Sequence, residues 1–169
     1  MSDSSGTRNA NARSADPIKS TPAGIDPRGP RFGAAITSAV LVITLLLGTG
    51  PAANTLLALV ALLFVIGVTR GVQGTPQGLA FRAWVRPRLA PPSELEDPRP
   101  PRFAQLIGLL VVTVGLLFTA IGVPAGVPLA AAVALVAAFL NAAFGLCLGC
   151  ELYLLLRRWT PQRRWTPQH

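Results

Sequence analysis

Two cysteines carry the chemistry that this sequence offers. Cys147 and Cys150 stand three residues apart in a CLGC motif, and the chain has no other cysteine. On a helix this spacing puts both thiols on one face, with Cα atoms about 5 Å apart, a distance that a disulfide can bridge. Glu151 comes four residues after Cys147, on the same face of such a helix, and is a candidate to exchange a proton with the Cys147 thiol. The spacing therefore permits reversible oxidation of the pair and makes Cys147, Cys150 and Glu151 candidate catalytic residues.

Three functions of the cysteine pair are open from the sequence alone. The pair can be a redox-active or persulfide-carrying dithiol, or two small residues packed in a helix interface. It can also be half of a metal site shared with another chain, since two thiolates alone leave a four-coordinate zinc site incomplete. The only histidine is the last residue, His169. We therefore predict no catalytic triad, no metal site formed by this chain alone and no cofactor.

Glycines on either side of Cys147 affect how reactive the thiols are. If one helix continued through the motif, the thiols would lie near its C-terminal end, where the helix dipole and Glu151 disfavour a thiolate. A break at Gly145 or Gly149 would instead begin a new short helix, whose N-terminal amides favour a thiolate. The sequence leaves both arrangements open.

Membrane helices are the elements that must position the cysteines. Of the 169 residues, 51% are hydrophobic and only 13% are charged, a balance typical of membrane proteins and not of soluble enzymes. A span needs about 20 apolar residues. We expect an all-α integral membrane four-helix bundle, because four windows without Asp, Glu, Lys or Arg meet this requirement: about 32–50, 53–69, 103–122 and 128–150.

Basic residues indicate the orientation of the predicted spans. All 15 Lys and Arg residues precede the first span, occupy the loop 70–102 or follow the fourth span. The positive-inside rule places these segments in the cytoplasm. We therefore predict a multi-pass protein of the cytoplasmic membrane with both termini inside. The net charge of +8 is explained by this topology, and no nucleic-acid partner is expected.

A short sequence recurs before two of the spans. Residues 26–32 read DPRGPRF and residues 97–103 read DPRPPRF, so six of seven positions match at an offset of 71. Each copy precedes a span that runs outward, which predicts two tandem helical hairpins related by a pseudo-two-fold axis along the membrane normal. The boxes also place arginines at headgroup depth. We expect four of them to face anionic lipid headgroups or another anion: Arg28, Arg31, Arg99 and Arg102.

The predicted membrane domain has a tail on each side and one amphipathic segment in its loop. We expect a disordered cytoplasmic tail at 1–25, the membrane domain at 26–158, and a basic and aromatic cytoplasmic tail at 159–169. Within the loop, Phe81, Trp84 and Val85 share one face of a predicted interfacial helix at about 78–89. We expect that face to point into the membrane.

The stretch around the cysteines resembles a known family. Residues 137–153 read AAFLNAAFGLCLGCELY. Together with the two boxes, they look like a bacterial integral-membrane family of unknown function, catalogued as domain of unknown function forty-three ninety-five. The similarity covers about residues 25–158 and implies four spans with a CLGC signature in the last helix. Members are often encoded near thioredoxin-like proteins and sulfurtransferases, which implies thiol or sulfane-sulfur chemistry. The resemblance supplies no catalytic residue beyond Cys147 and Cys150.

The preferred functional hypothesis is a membrane thiol-redox or sulfane-sulfur-handling protein. Its partner would be a cytoplasmic thioredoxin-like or sulfurtransferase protein that meets Cys147 and Cys150 at the cytoplasmic face. The alternatives are a module that transports a small sulfur species and a structural membrane subunit without chemistry. Whether the protein is an enzyme, and whether it forms a homo-oligomer, is left open.

Overall fold

The computed structural model describes residues 24–92 and 94–159, so the predicted tails 1–25 and 159–169 lie almost wholly outside the described residues. Most of the described chain is α-helical. The helices are α1 (Arg28–Leu46), α2 (Pro51–Arg70), α3 (Pro76–Ala80), α4 (Arg99–Ala120), α5 (Gly126–Phe144) and α6 (Leu148–Trp159). A 3-10 turn at Val72–Gly74 precedes α3. A π turn at Phe81–Val85 and a 3-10 turn at Arg86–Arg88 follow it.

Four of these helices are long and apolar enough to cross a membrane: α1, α2, α4 and α5. They have 19 to 22 residues each, and about 20 residues at 1.5 Å per residue match a hydrocarbon core of about 30 Å. Many large apolar side chains on them are exposed, among them Leu46, Leu62, Leu117, Leu129 and Phe139. Such a surface suits contact with a lipid bilayer. The predicted all-α, multi-pass membrane fold with four spans is confirmed.

The two boxes begin helices instead of lying before them. α1 begins at Arg28 and α4 at Arg99, in each case four residues before the predicted start of the span. Prolines are tolerated here because the first turn of a helix needs no backbone donor. The Asp of each box supports that turn: Asp26 Oδ1 accepts from the Arg28 N–H at 3.0 Å, and Asp97 Oδ1 from the Arg99 N–H at 2.9 Å.

Small residues allow the spans to approach closely. α1 packs most extensively against α5 and α2 against α4, while α4 also packs along α5. A Cβ added to Gly115 of α4 would collide with the Ala130 side chain and lie 2.7 Å from the Gly126 carbonyl oxygen of α5. Close contact of this kind replaces the hydrophobic effect as the force between helices in lipid. The buried apolar core is correspondingly rich in alanine: Leu41, Ala53, Leu57, Val60, Val112, Val127, Ala130, Ala131 and Ala134.

Several hydroxyl groups inside the spans have partners within the bundle. Thr37, Ser38 and Thr44 of α1 each donate to the carbonyl oxygen four residues earlier, at 2.8 to 3.0 Å. Thr119 Oγ1 accepts from the Val127 N–H at 3.1 Å and so joins α4 to α5. These bonds satisfy groups for which lipid offers no partner.

The predicted interfacial helix at 78–89 takes a different form. The segment is helical, but Phe81 is buried and packs on Phe32 with ring centroids 5.8 Å apart, whereas Trp84 is 69% exposed. The prediction that Phe81, Trp84 and Val85 share a membrane-facing side of this helix is therefore wrong for Phe81. The wider π turn that begins at Phe81 changes the angular spacing of these side chains, which the regular helical pattern did not anticipate.

The close contact of α4 and α5 makes a stability prediction. Gly115→Ala adds one methyl group where the Ala130 side chain and the Gly126 carbonyl leave no room, so we expect a loss of about 1–3 kcal/mol. Gly33→Ala, also inside a helix, meets only Gln77 Cβ at 3.8 Å and should be neutral or slightly stabilising. Thermal unfolding of both variants in detergent measures the difference. Equal melting temperatures for the two variants would contradict this packing.

Candidate functional site

The last span ends three residues before the first cysteine. Gly145 adopts the left-handed backbone region, with φ +72°, and ends α5. Its N–H donates to the Asn141 carbonyl oxygen at 3.0 Å, and the Leu146 N–H donates to the Leu140 carbonyl oxygen at 3.2 Å. A side chain at a positive φ is strained, which makes glycine the favoured residue at this turn. The predicted span of 128–150 therefore ends earlier, because the helix breaks at Gly145.

The cysteine pair lies at the start of the next helix. α6 begins at Leu148, and the Cys147 carbonyl oxygen accepts the Glu151 N–H at 3.0 Å, so Cys147 is the residue that caps this helix. Cys150 follows in the first helical turn. The two cysteines are joined in a disulfide with Cα atoms 5.1 Å apart, close to the separation expected from the sequence. Both residues are only half-buried.

The position of the pair has an electrostatic consequence. Free N–H groups at a helix N-terminus and the helix dipole favour a thiolate over a thiol. When the disulfide is reduced, Cys147 lies where this effect acts. The alternative in which a continuous helix places the thiols at its C-terminal end does not apply. Glu151 is exposed in the first turn of α6.

α6 is held against the entrance of α4. A Cβ on Gly149 would lie 2.5 Å from Ala104 Cα, so the two helix backbones are in close contact between the two cysteines. One turn further along, the Tyr153 ring packs on the Phe103 ring with centroids 5.6 Å apart. Phe103 is the last residue of the second box, so the box positions the cysteine helix.

A cavity of about 890 Å³ adjoins the disulfide. Its wall is mostly apolar and includes both cysteines and Glu151. It also includes three amide residues: Asn141, which the sequence suggests first as a hydrogen-bonding contact between helices and second as a ligand contact, and Gln77 and Gln105, which no sequence motif marks. Gln105 lies inside a span, where an amide in an otherwise apolar segment is a signal that could have found it. Gln77 lies in the loop helix α3, where the sequence carries no such signal. Within 24–92 and 94–159, no group of three or more His, Cys, Asp and Glu residues could hold a metal ion.

The second arginine of each box caps the end of a span. Arg31 Nη2 donates to the Ala143 carbonyl oxygen of α5 at 3.3 Å. Arg102 donates to the Val68 carbonyl oxygen from Nε and Nη2, at 3.3 and 3.0 Å, and from Nη2 to the Thr69 carbonyl oxygen at 2.6 Å. These carbonyls have no partner within their own helices. The two arginines therefore neutralise the C-terminal ends of α5 and α2.

The first arginine of each box is used differently. Arg28 Nη1 donates to the Ala90 carbonyl oxygen at 3.0 Å and so ties the loop to α1. Arg99 is exposed at the start of α4. Binding of an anion or a lipid headgroup by the four arginines stays a prediction.

A family model covers the helices and the cysteine pair. Residues 25–158 match the family described as Domain of unknown function (DUF4395). The chain belongs to this family. No curated protein and no solved structure matches the chain. The matched region of this DUF4395 protein contains both boxes, the four spans and the disulfide.

The turn at Gly145 of this DUF4395 protein makes a testable prediction. Gly145→Ala and Gly122→Ala both place a side chain at a positive φ, so each should cost about 1 kcal/mol of stability. Only Gly145 separates α5 from the cysteine helix. We therefore expect Gly145→Ala alone to change the dithiol–disulfide equilibrium, because a helix that continues past residue 145 moves the thiols away from a helix N-terminus.

Equilibration in glutathione redox buffers, followed by thiol alkylation, measures the disulfide fraction of both variants. Gly122 has no atom within 4 Å of its added Cβ, which makes Gly122→Ala the matched control. An equal shift in both variants, or none in either, would contradict the role assigned to the turn.

Proposed function

We propose that the protein is a membrane thiol–disulfide protein whose Cys147–Cys150 pair reacts with a soluble thiol partner at the cytoplasmic face. One observation carries the proposal: the pair lies at a helix N-terminus outside the four spans, and both cysteines are partly exposed. Disulfides on the cytoplasmic side of a membrane are rare, and those that occur are mostly catalytic or redox-sensing.

The reaction is a two-step exchange. The Cys147 thiolate attacks one sulfur of a partner disulfide and displaces the other partner sulfur as a thiolate. The Cys150 thiolate then attacks the Cys147 sulfur, which breaks the mixed disulfide and releases the partner as a dithiol. The protein is left with its disulfide, and the same steps in reverse oxidise a partner dithiol.

A persulfide-bearing partner reacts at the same site. The Cys147 thiolate takes the outer sulfur of the partner persulfide, and the partner leaves as a thiolate. Cys150 then attacks the inner sulfur of the Cys147 persulfide, forms the disulfide and releases hydrosulfide. A thioredoxin-like protein and a sulfurtransferase are therefore both suitable partners for one pair of cysteines.

We also propose the membrane arrangement that this chemistry needs: two tandem hairpins, α1–α2 and α4–α5, with both chain termini in the cytoplasm. Reciprocal contacts support the repeat. Arg31 of the first hairpin caps a span of the second, and Arg102 of the second hairpin caps a span of the first. Ile25 and Glu96, which precede the two boxes at the same offset of 71, exchange N–H to carbonyl bonds of 2.9 Å in both directions.

A second candidate function is binding or transport of a small sulfur species. The cavity beside the disulfide favours it, because a pocket of this volume between membrane helices can hold a small molecule. This function does not need the cysteines to form mixed disulfides. The behaviour of a double Cys147→Ser, Cys150→Ser variant separates the two candidates.

Covalent trapping tests the preferred function. We expect Cys150→Ser to accumulate a mixed disulfide between Cys147 and a thioredoxin-like or sulfurtransferase protein, because the resolving thiol is absent. Non-reducing electrophoresis of alkylated membranes, followed by mass spectrometry of the linked peptides, identifies the bond. Cys147→Ser is the matched control and should trap far less. A Cys150→Ser variant that forms no mixed disulfide, together with unaltered uptake of a sulfur species by the double variant, would favour the transport function instead.

Thiol labelling tests the orientation. In reduced protein, a membrane-impermeant maleimide should label Cys147 and Cys150 in inside-out vesicles and leave both unlabelled in right-side-out vesicles. The physical reason is that both residues follow α5 on the side that carries the arginines. Labelling from the outer face would contradict the proposed topology, and labelling from neither face would mean a buried packing pair.

A further inference from the structure

The cavity beside the disulfide reaches from the membrane surface into the bundle. At one end it is lined by Cys147, Cys150 and Glu151 of the cysteine helix and the residues around it. At the other end it is lined by Val111 of α4 and Ala134 of α5, which lie well inside the spans. A ligand in this cavity can therefore lie beside the cysteine pair and extend into the apolar interior of the bundle. Its volume of about 890 Å³ is that of a small-molecule site.

Gln77 points to a ligand. The side chain lines the cavity and is only 9% exposed, and its Oε1 has no hydrogen-bond partner. A buried polar atom without a hydrogen-bond partner is destabilising, so it calls for an explanation. Gln105 and Asn141 line the same cavity. Amide groups both donate and accept, so they suit a ligand that presents carbonyl oxygens in one state and hydroxyl groups in another.

The observations set three conditions on the ligand. It enters a mostly apolar cavity within a membrane domain, it has neutral oxygen groups for the amides, and it lies against a disulfide. We propose that the cavity binds a lipid-soluble quinone, which accepts the electrons of the reduced Cys147–Cys150 pair. This inference rests on the proposed thiol–disulfide function and names its second reactant. Electrons then pass from the soluble thiol partner to the cysteines and on to the membrane quinone.

The reaction with the quinone balances without a further oxidant. The thiols of Cys147 and Cys150 together lose two protons and two electrons, and one S–S bond forms. The two carbonyl oxygens of the quinone gain them and become the hydroxyl groups of a hydroquinone. Once the Gln77 amide rotates toward the cavity, its Oε1 can accept a hydroquinone O–H and so gain a partner. The hydroquinone leaves through the apolar part of the cavity into the bilayer.

Anaerobic oxidation of the purified full-length protein in detergent tests the inference. The reduced protein is mixed with decylubiquinone, and hydroquinone absorbance and free thiols are followed together. This quinone has no free ring carbon for thiol addition, so hydroquinone formation reports electron transfer. We expect one hydroquinone for each disulfide formed. The same protein is also oxidised with glutathione disulfide, which needs no apolar cavity and reports the thiol exchange alone.

Two pairs of variants locate the reaction. Ala137→Phe fills the cavity from α5, and its control, Ala132→Phe, changes a half-buried alanine of the same helix that does not line the cavity. Gln77→Leu removes the amide, and its control, Gln73→Leu, changes an exposed glutamine nearby. We expect Ala137→Phe and Gln77→Leu to slow oxidation by quinone about tenfold, the effect of one lost buried hydrogen bond or its steric equivalent. Oxidation by glutathione disulfide should be unchanged.

Other results would overturn the inference. Normal exchange with glutathione disulfide without electron transfer to decylubiquinone would leave the proposed thiol–disulfide function intact. It would contradict the inference that a quinone accepts the electrons. If quinone oxidises the thiols of wild type, Ala137→Phe and Gln77→Leu at equal rates, the reaction takes place outside the cavity. If glutathione disulfide also fails to oxidise Ala137→Phe, that substitution has damaged the fold. The rate at which quinone oxidises Gln77→Leu then tests the inference. Failure of the wild type with both oxidants would overturn the proposed function itself.

Discussion

Carbonyl groups at the ends of membrane spans must find partners at a depth where water is scarce, and this constraint shapes the arginine-bearing end of the bundle. Arg31 satisfies a carbonyl at the end of α5, and Arg102 satisfies two at the end of α2. Each arginine comes from the first turns of another helix, so the same bonds that cap one span hold it to its neighbour. Loss of either side chain would leave helix ends unpaired and loosen two helices together.

The cysteine site depends on the end of α5. Because the chain turns at Gly145 beside the Arg31 guanidinium, α6 begins anew and presents its N-terminus to the cysteines. Gly149 then allows α6 to lie directly on Ala104, which keeps the disulfide against the cavity. The arrangement places the half-buried pair at the N-terminus of α6 and beside a mostly apolar cavity. In the proposed mechanism, this position gives the thiolate access to a soluble partner and to a lipid-soluble one.

Much of the fold could be predicted from the sequence, because uncharged stretches of span length admit few other structures. The cysteine pair and its Cα separation followed from spacing alone. The sequence could not decide whether the helix breaks at Gly145 or at Gly149, because both glycines suit a turn. Only the tertiary packing shows that Gly149 instead allows close contact with Ala104. The capping role of Arg31 and Arg102 was equally hidden, because it joins residues 112 and 33 to 34 positions apart along the chain. Phe81 was placed on the wrong face because a π turn interrupts the regular period.

The central claim is that the Cys147–Cys150 pair cycles between disulfide and dithiol in the living membrane. Its most direct test is the redox state of the pair in growing cells, fixed by rapid acid quenching and read by alkylation with a mass-adding thiol reagent. Cycling predicts a measurable disulfide fraction that falls when a permeant reductant is added and recovers after the reductant is removed. A pair that stays fully reduced in every condition, or a disulfide that no reductant opens in the native membrane, would contradict the claim.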